Sequence, residues 1–322
     1  MAGRDIKKVF VVGAGTMGHG IAQIFAQAGY EVALADLKPE ILDKASRLIQ
    51  SSLQTMADEA LLAQAQIPAI LDQITFTTSV QEGARRADIV IEAVVENREV
   101  KQAVFAQLDK YCSPQTLLAS NTTFLNVFDF VEVSHPERLL LCHWYVPPEI
   151  IPLVDVVKGP RTGNESIELM VSVLKKVGKK PLVMNKFVAG YVVPRLQMAL
   201  NREVYFLLDS GALTAEELDD AVKLGLAFRM LILGVVQRFD FGGLDLSVKG
   251  LENPYVKSQL TPPDYKPRKI FELVDQGHLG VKTGQGFYDY GGRSEAEVHH
   301  ELAVRLIRLL KAVQSVEGDS FG

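Results

Sequence analysis

The stretch Lys8-Val-Phe-Val-Val-Gly13-Ala-Gly15-Thr-Met-Gly18 decides how the first half of this 322-residue chain folds. A β-branched and aromatic run ends at Gly13, and a helical pattern follows from Met17, so strand, glycine turn and helix succeed one another without a gap. Gly13 permits the tight turn, Gly15 lets the backbone approach a diphosphate, and Gly18 lets helix and strand pack closely. A diphosphate would then rest on the amides around Gly15, Thr16, Met17 and Gly18, at the positive end of the helix. Asp36, twenty-three positions after Gly13, closes the second strand pattern, where a carboxylate takes both hydroxyls of an adenosine ribose and repels the extra phosphate of NADP. A glycine string alone is a weak signal. Here the strand before it, the helix after it and the acidic residue at the right distance agree, and the site reads as one for NAD; Lys38 is near enough to soften the discrimination against NADP.

Working outward, short β-branched runs alternate with longer amphipathic ones from Ile6 to Met184, the rhythm of βαβ units around a sheet buried on both faces. Strands are expected at Lys8–Val12, Glu31–Ala35, Ile74–Thr77, Asp88–Val94, Leu117–Ser120, Leu139–His143, Leu153–Val157 and Pro181–Met184. Helices are expected at Met17–Ala28, Pro39–Leu62, Arg98–Lys110 and Glu165–Val177, the last capped by Asn164. After Asn185 the strand signal stops. Leu196, Leu200, Val204 and Leu207 recur at helical spacing up to a C-capping Gly211, Thr214-Ala-Glu-Glu217 forms a capping box, and further helices read at Arg268–Asp275 and Ser294–Val313 around a glycine-rich loop, Gly280–Gly286. The expected architecture is therefore an α/β Rossmann domain over residues 1–186, doubly wound and mostly parallel, followed by an all-α domain over 187–322.

At 48% hydrophobic and 23% charged residues the chain reads as an ordinary folded protein, and a formal net charge of −5 offers no basic field for nucleic acid or anionic membranes. Cys112 and Cys142 lack the spacing of a disulfide framework, zinc site or redox motif. The basic opening segment runs straight into a strand, and the longest apolar run, Ala227–Val236, is broken by Arg229 and falls short of the roughly 20 residues of a membrane span. These features lead us to expect a cytoplasmic protein with a small-molecule partner, no metal, no membrane contact and no nucleic acid.

His143 ends a predicted strand, the place where ligands gather in a doubly wound sheet. Asp155 lies twelve positions later, beyond the turn-forming Pro147-Pro148, so antiparallel pairing of the two flanking strands would bring its carboxylate to the imidazole. Such a dyad would let His143 take a hydroxyl proton while Asp155 fixes its tautomer and steadies the imidazolium. Asp155 could instead pair with Lys158 or Arg161, and Thr123 could cap a following helix. His135, His278 and His299-His300 read as surface histidines, and Arg195 as a helix-surface or interdomain charge that could also meet a substrate carboxylate.

Gly13–Gly18 with Asp36, Ile91-Glu-Ala-Val-Val-Glu-Asn97, Ser120-Asn-Thr-Thr123, His143, Gly190-Tyr-Val-Val-Pro-Arg-Leu196, Leu218-Asp-Asp-Ala221 and Lys282-Thr-Gly-Gln-Gly-Phe-Tyr288 together resemble the 3-hydroxyacyl-CoA dehydrogenase family along nearly the whole chain. The resemblance implies NAD-dependent oxidation of a hydroxyl, with His143 as general base, Asp155 where the family has Glu, and Thr123 where it has a substrate-contacting Ser. It further implies Glu96 and Lys101 beside the cofactor and a homodimer through the C-terminal helices; Asn121 is a further cofactor-side candidate, although Ser120-Asn121 could merely shape that turn, and the substrate is expected to enter between the domains. Val146 and Pro194 stand where family members typically carry Asn, which removes two amides able to hold a substrate. No Lys or Arg occurs between Arg47 and Arg85, the stretch that usually supplies basic contacts to CoA phosphates, and Asp58 and Glu59 stand there instead. The string His143-Trp-Tyr-Val-Pro-Pro-Glu-Ile-Ile-Pro152 is similar to the gulonate dehydrogenase (lambda-crystallin-like) and pyridine-carboxylate dehydrogenase branches. Two substrate classes therefore stay open, 3-hydroxyacyl-CoA and small hydroxy carboxylates, alongside a structural or sensing NAD-binding relative without turnover.

Overall fold

The computed structural model describes residues 5–242, 244–253 and 264–317. Its contacts divide the chain into two compact units, Met1–Val192 with Leu306–Arg308, and Val193–Arg305 with Leu309–Gly322.

The first unit is built on one eight-stranded sheet. Its strands are β1 (Lys8–Val12), β2 (Glu31–Ala35), β3 (Ile74–Thr77), β4 (Ile89–Glu92), β5 (Leu117–Ser120), β6 (Leu139–Trp144), β7 (Leu153–Val157) and β8 (Lys180–Met184), in the order β3-β2-β1-β4-β5-β6-β7-β8. The first six follow the doubly wound order and are parallel; β7 runs antiparallel to β6, and β8 parallel to β7. Helices α1 (Gly18–Gln27), α2 (Pro39–Asp58), α3 (Ile67–Leu71), α4 (Val80–Arg86), α5 (Arg98–Tyr111) and α6 (Asn164–Lys176) accompany it. Side chains of β1 show why both faces are covered: Val9 and Val11 enter a core with Ile21 and Phe25 of α1, while Phe10 and Val12 enter a second core with Ala84 of α4 and Phe105 of α5. Both thiols are unpaired and buried; burial pushes Cys112 up to about 11 and Cys142 further still.

Several boundaries differ from the sequence expectation for local reasons. Helix α2 stops at Asp58 because Ala60 adopts a left-handed φ of 54°. Strand β4 ends at Glu92, whose carboxylate takes the amide of Val94 at 2.9 Å and so removes it from the ladder. The cap of α6 is Gly163; Asn164 is the first helical residue, its amide oxygen accepting from Lys158 Nζ at 2.5 Å instead of serving the helix amides. Helices α3 and α4 were not foreseen, although Ser79-Val-Gln-Glu82 is a start signal and Ser79 Oγ does accept from the amide of Glu82.

The second unit is helical. An amphipathic helix, Val193–Ser210, ends at Gly211 with φ 69°, and Thr214 and Glu217 form the expected capping box before Ala215–Ala221. A π-helical turn at Val222–Ala227 and helices Phe228–Leu233, Gln237–Gly242 and Leu244–Glu252 fill a stretch that carries no clear period in the sequence, and Lys269–Asp275 and Glu295–Glu317, apart from Leu306–Arg308, complete it. No helix among the described residues is long and apolar enough to cross a membrane.

The turn between β1 and α1 is closed sterically. A Cβ on Gly18 would lie 1.7 Å from the Gly13 carbonyl oxygen, and Gly13 itself sits at φ 101° with a Cβ position 2.5 Å from the Ala93 oxygen. Gly18→Ala is therefore expected to cost about 2–3 kcal/mol in urea denaturation, the scale of an overpacked core, and to abolish NAD binding measured by calorimetry.

Candidate active site

Parallel register aligns the carboxyl ends of β1, β4 and β5, with Val12 beside Glu92 and Glu92 beside Ser120, and β6 continues the row. Three groups of residues meet at this edge.

The first is the glycine turn. Helix α1 has no side-chain cap and no acidic residue in its first turn, whereas Asn97 caps α5 and Ser79 caps α4. Its opening amides are left for an anion, and the space above Gly15 holds no atom within 4 Å of a Cβ built there. This is a cradle that fits a dinucleotide diphosphate. Asp36 stands at the expected place and spends Oδ2 on the Ala14 amide at 2.9 Å, so the acidic residue also braces the turn.

The second is an ionic cluster that runs from the buried Glu92 and Lys101 out to the surface at Glu96. Lys101 is 1% exposed, its ammonium 2.8 Å from Glu92 and 3.4 Å from Glu96, and Ser120 Oγ donates to the other oxygen of Glu92 at 2.5 Å. Burial opposes the charge on Glu96. The Phe124 amide, the Thr122 hydroxyl, Lys101 and the Thr123 amide outweigh it and hold the carboxyl below its usual range. One Glu96 oxygen thus organises the turn 122–125, with Thr122 Oγ1 at 2.7 Å and the amides of Thr123, Phe124 and Leu125 at 3.0, 2.8 and 3.2 Å. Lys101 acts inside this cluster, as the counter-charge that orients Glu96. Asn121 likewise braces the edge, its Oδ1 accepting from the Trp144 amide at 2.8 Å.

The third is the histidine. Antiparallel pairing sets His143 directly opposite Asp155, so both side chains share one face, and Nδ1 lies 3.3 Å from Asp155 Oδ2. Asp155 is fully buried and turns to His143, not to Lys158 or Arg161. Because a carboxylate only accepts, the network assigns the proton to Nδ1; Nε2 then carries the lone pair and receives Thr123 Oγ1–H at 3.2 Å. Thr123 does not cap a helix; the hydroxyl of Thr122 takes the Leu125 amide.

Three further residues, none named as a site candidate from the sequence, complete the surroundings. The Tyr191 ring lies tilted over the imidazole at 4.7 Å, its hydroxyl donating to the Thr122 carbonyl at 2.5 Å, and burial first, then Glu96 and Asp155, push its phenol far above the ordinary value. Tyr145 meets the imidazole edge-on at 4.8 Å and donates to Asp155 Oδ2 at 2.5 Å. Lys179 clasps the loop after β6 by donating to the carbonyls of Pro148 and Ile151 at 2.7 and 2.8 Å. Burial lowers its ammonium to about 8 against the pull of Glu149. Alternation with period two, carried one residue past the end of β6, would have nominated Tyr145 beside His143; Tyr191 and Lys179 arrive from distant sequence.

Residues 8–187 match the NAD-binding domain of 3-hydroxyacyl-CoA dehydrogenase, and residues 190–290 match its C-terminal domain. The chain belongs to the 3-hydroxyacyl-CoA dehydrogenase family. It is an NAD-dependent oxidoreductase acting on CH–OH groups, with the Rossmann and helical domains of that family. Similar proteins include a probable 3-hydroxybutyryl-CoA dehydrogenase of Bacillus subtilis, 33% identical over 89% of this chain and 98% of that one. The crystal structure of 5-formyl-3-hydroxy-2-methylpyridine 4-carboxylic acid 5-dehydrogenase, described as an NAD+-dependent dismutase, superposes with a TM-score of 0.86 at 26% identity over 96% and 99% of the two chains. That of (S)-3-hydroxybutyryl-CoA dehydrogenase from Ralstonia eutropha gives 0.70 at 30% identity over 89% and 100%. These relatives are enzymes and lend nothing to a role without turnover.

Removing Lys101 would strand Glu92 in the interior. Lys101→Met is expected to cost about 3–5 kcal/mol of stability, read from the urea midpoint at constant slope.

Proposed function

We propose that this dehydrogenase oxidises the hydroxyl of a small free carboxylate, with His143 as general base, Asp155 as its partner and Thr123 as the group that holds the substrate oxygen. The observation that carries the catalytic part is the single line of contacts Asp155 Oδ2, His143 Nδ1, His143 Nε2, Thr123 Oγ1, which leaves a lone pair beside a hydroxyl binder at the ligand edge of the sheet. NAD bound at the glycine turn supplies the hydride acceptor. The chain's part is acid–base: Nε2 takes the hydroxyl proton as the carbonyl forms, and the buried carboxylate steadies the imidazolium. Gly13, Gly15, Thr16, Met17, Gly18 and Asp36 would hold the diphosphate and ribose, with Glu96, Lys101 and Asn121 shaping the neighbouring wall.

The preference for a free acid over an acyl-CoA rests on charge. Beyond Arg47, the remainder of α2, the short helical turn Gln64–Gln66 and α3 contain no Lys or Arg; Asp58 and Glu59 lie there, and Arg308 is spent on Glu59 at 2.9 Å. A CoA tail would find no phosphate partner on this segment. The closer superposition on the pyridine-carboxylate enzyme than on the hydroxybutyryl-CoA enzyme supports the same choice.

Incubation with NAD and a panel of hydroxy carboxylates and 3-hydroxyacyl thioesters, followed by NADH absorbance, tests both parts. A free acid is expected to give a higher kcat/KM than 3-hydroxybutyryl-CoA; the reverse order returns the substrate to the acyl-CoA class. His143→Ala is expected to lower kcat by about 10²–10⁴-fold with NAD affinity retained, and an unchanged rate removes His143 from the mechanism.

We also propose a cytoplasmic homodimer joined through the C-terminal unit. Two unpaired cysteines suit a reducing compartment, and the helical unit presents Leu224, Phe228 and Phe241 at 76%, 69% and 70% exposure, more than an isolated domain ordinarily leaves to water. Light scattering is expected to give twice the 35.5 kDa chain mass, and Phe228→Asp to shift it toward the monomer.

A further inference from the structure

We propose that Tyr145 is a positioning residue of the dehydrogenase reaction: its hydroxyl shares Asp155 Oδ2 with His143 and thereby sets how strongly the carboxylate favours the imidazolium. The inference deepens the assignment of His143 as base and rests on it. Three observations carry it. The Tyr145 hydroxyl is 2.5 Å from Asp155 Oδ2 while His143 Nδ1 is 3.3 Å from the same atom, so the phenol, not the imidazole, holds the tighter bond to that oxygen. Oδ1 of the same carboxylate is buried and accepts no hydrogen bond among the described residues, so the two donors draw on one oxygen. The Tyr145 ring stands edge-on to the imidazole at an 80° interplanar angle, while Tyr191 covers it at 31°, and between them the rings fix the imidazole plane.

The physical consequence has a definite sign. A phenol donating to a carboxylate stabilises its negative charge and diverts part of it from any other donor on the same atom. With the phenol in place the carboxylate favours the imidazolium less, and Nε2 keeps its lone pair to lower pH. Without it, Oδ2 serves His143 alone and the protonated ring gains. Other groups facing the pair do not blur this change near neutral pH. Tyr191 and Cys142 are pushed by burial far above their ordinary values and stay neutral, and Glu96 is held below its own and stays charged. Thr123, the remaining contact of the ring, does not titrate.

The test follows His143 directly and needs no substrate. Protein carrying 13C at histidine Cε1, with NAD present, is titrated by proton–carbon NMR, the His143 signal being assigned from its loss in His143→Gln. Tyr145→Phe keeps the ring and removes only the hydroxyl; it is expected to move the His143 titration midpoint up by about one pH unit, tenfold in proton affinity. In an Asp155→Asn background the same substitution is expected to leave the midpoint in place. With whichever panel substrate turns over, the acid limb of kcat/KM is expected to move to higher pH with the midpoint. An unmoved or lowered midpoint in Tyr145→Phe, or a shift that persists without the Asp155 charge, overturns the proposal. Failure of His143 as base would show separately, as turnover that survives His143→Ala.

Discussion

One reversal of strand direction governs the active edge. Five strands run parallel to β1 or to one another before β7 turns back along β6, and only this antiparallel pairing sets residue 155 across from residue 143. A parallel β7 would need a crossover of a dozen or more residues, and the chain leaves only Tyr145–Pro152 between the two strands. The loop is held by Lys179, whose ammonium reaches two of its carbonyls, and it presses Pro148 and Glu149 against α1 at Gly20, where a Cβ would come within 2.6 Å of either. The loop that aligns the histidine with its carboxylate therefore also packs on the helix that opens the glycine turn.

Electrostatics does the rest of the positioning. Glu92, Lys101 and Glu96 form a chain of charge from inside the sheet to the turn 122–125, and the amides of that turn converge on Glu96. Thr123 is thus aimed at His143 from one side by a carboxylate, while Tyr191 ties the carbonyl of the preceding residue from the other. Loops are usually the mobile part of a ligand site; here a carboxylate anchored by the buried Lys101 supplies the rigidity that strand ladders give elsewhere.

Features encoded locally were legible in the sequence. The glycine turn, the acidic residue at the end of β2 and the capping box at Thr214 follow from short spacings with direct steric or hydrogen-bonding causes. The His143–Asp155 contact was legible because a Pro-Pro turn between two apolar runs suggests a return strand, and register does the rest. What escaped was either too short to show a period, as in α3 and α4, or joined through space. Tyr191 is 48 positions from the imidazole it covers (191 − 143 = 48), Lys179 is 31 from the Pro148 carbonyl it holds, and no periodicity links such pairs. The Asn164 cap failed for a third reason: a neighbouring lysine claimed the amide oxygen first.

The two thiols give the first unit a built-in reporter. Cys112 and Cys142 lie at the end of α5 and on β6, in opposite apolar layers of the sheet, and neither exposes enough sulfur, nor ionises readily enough, to meet an alkylating reagent in the native state. Their capture by such a reagent would time the opening of each layer separately, so that one chain without engineered labels records whether its two hydrophobic halves part together or in sequence.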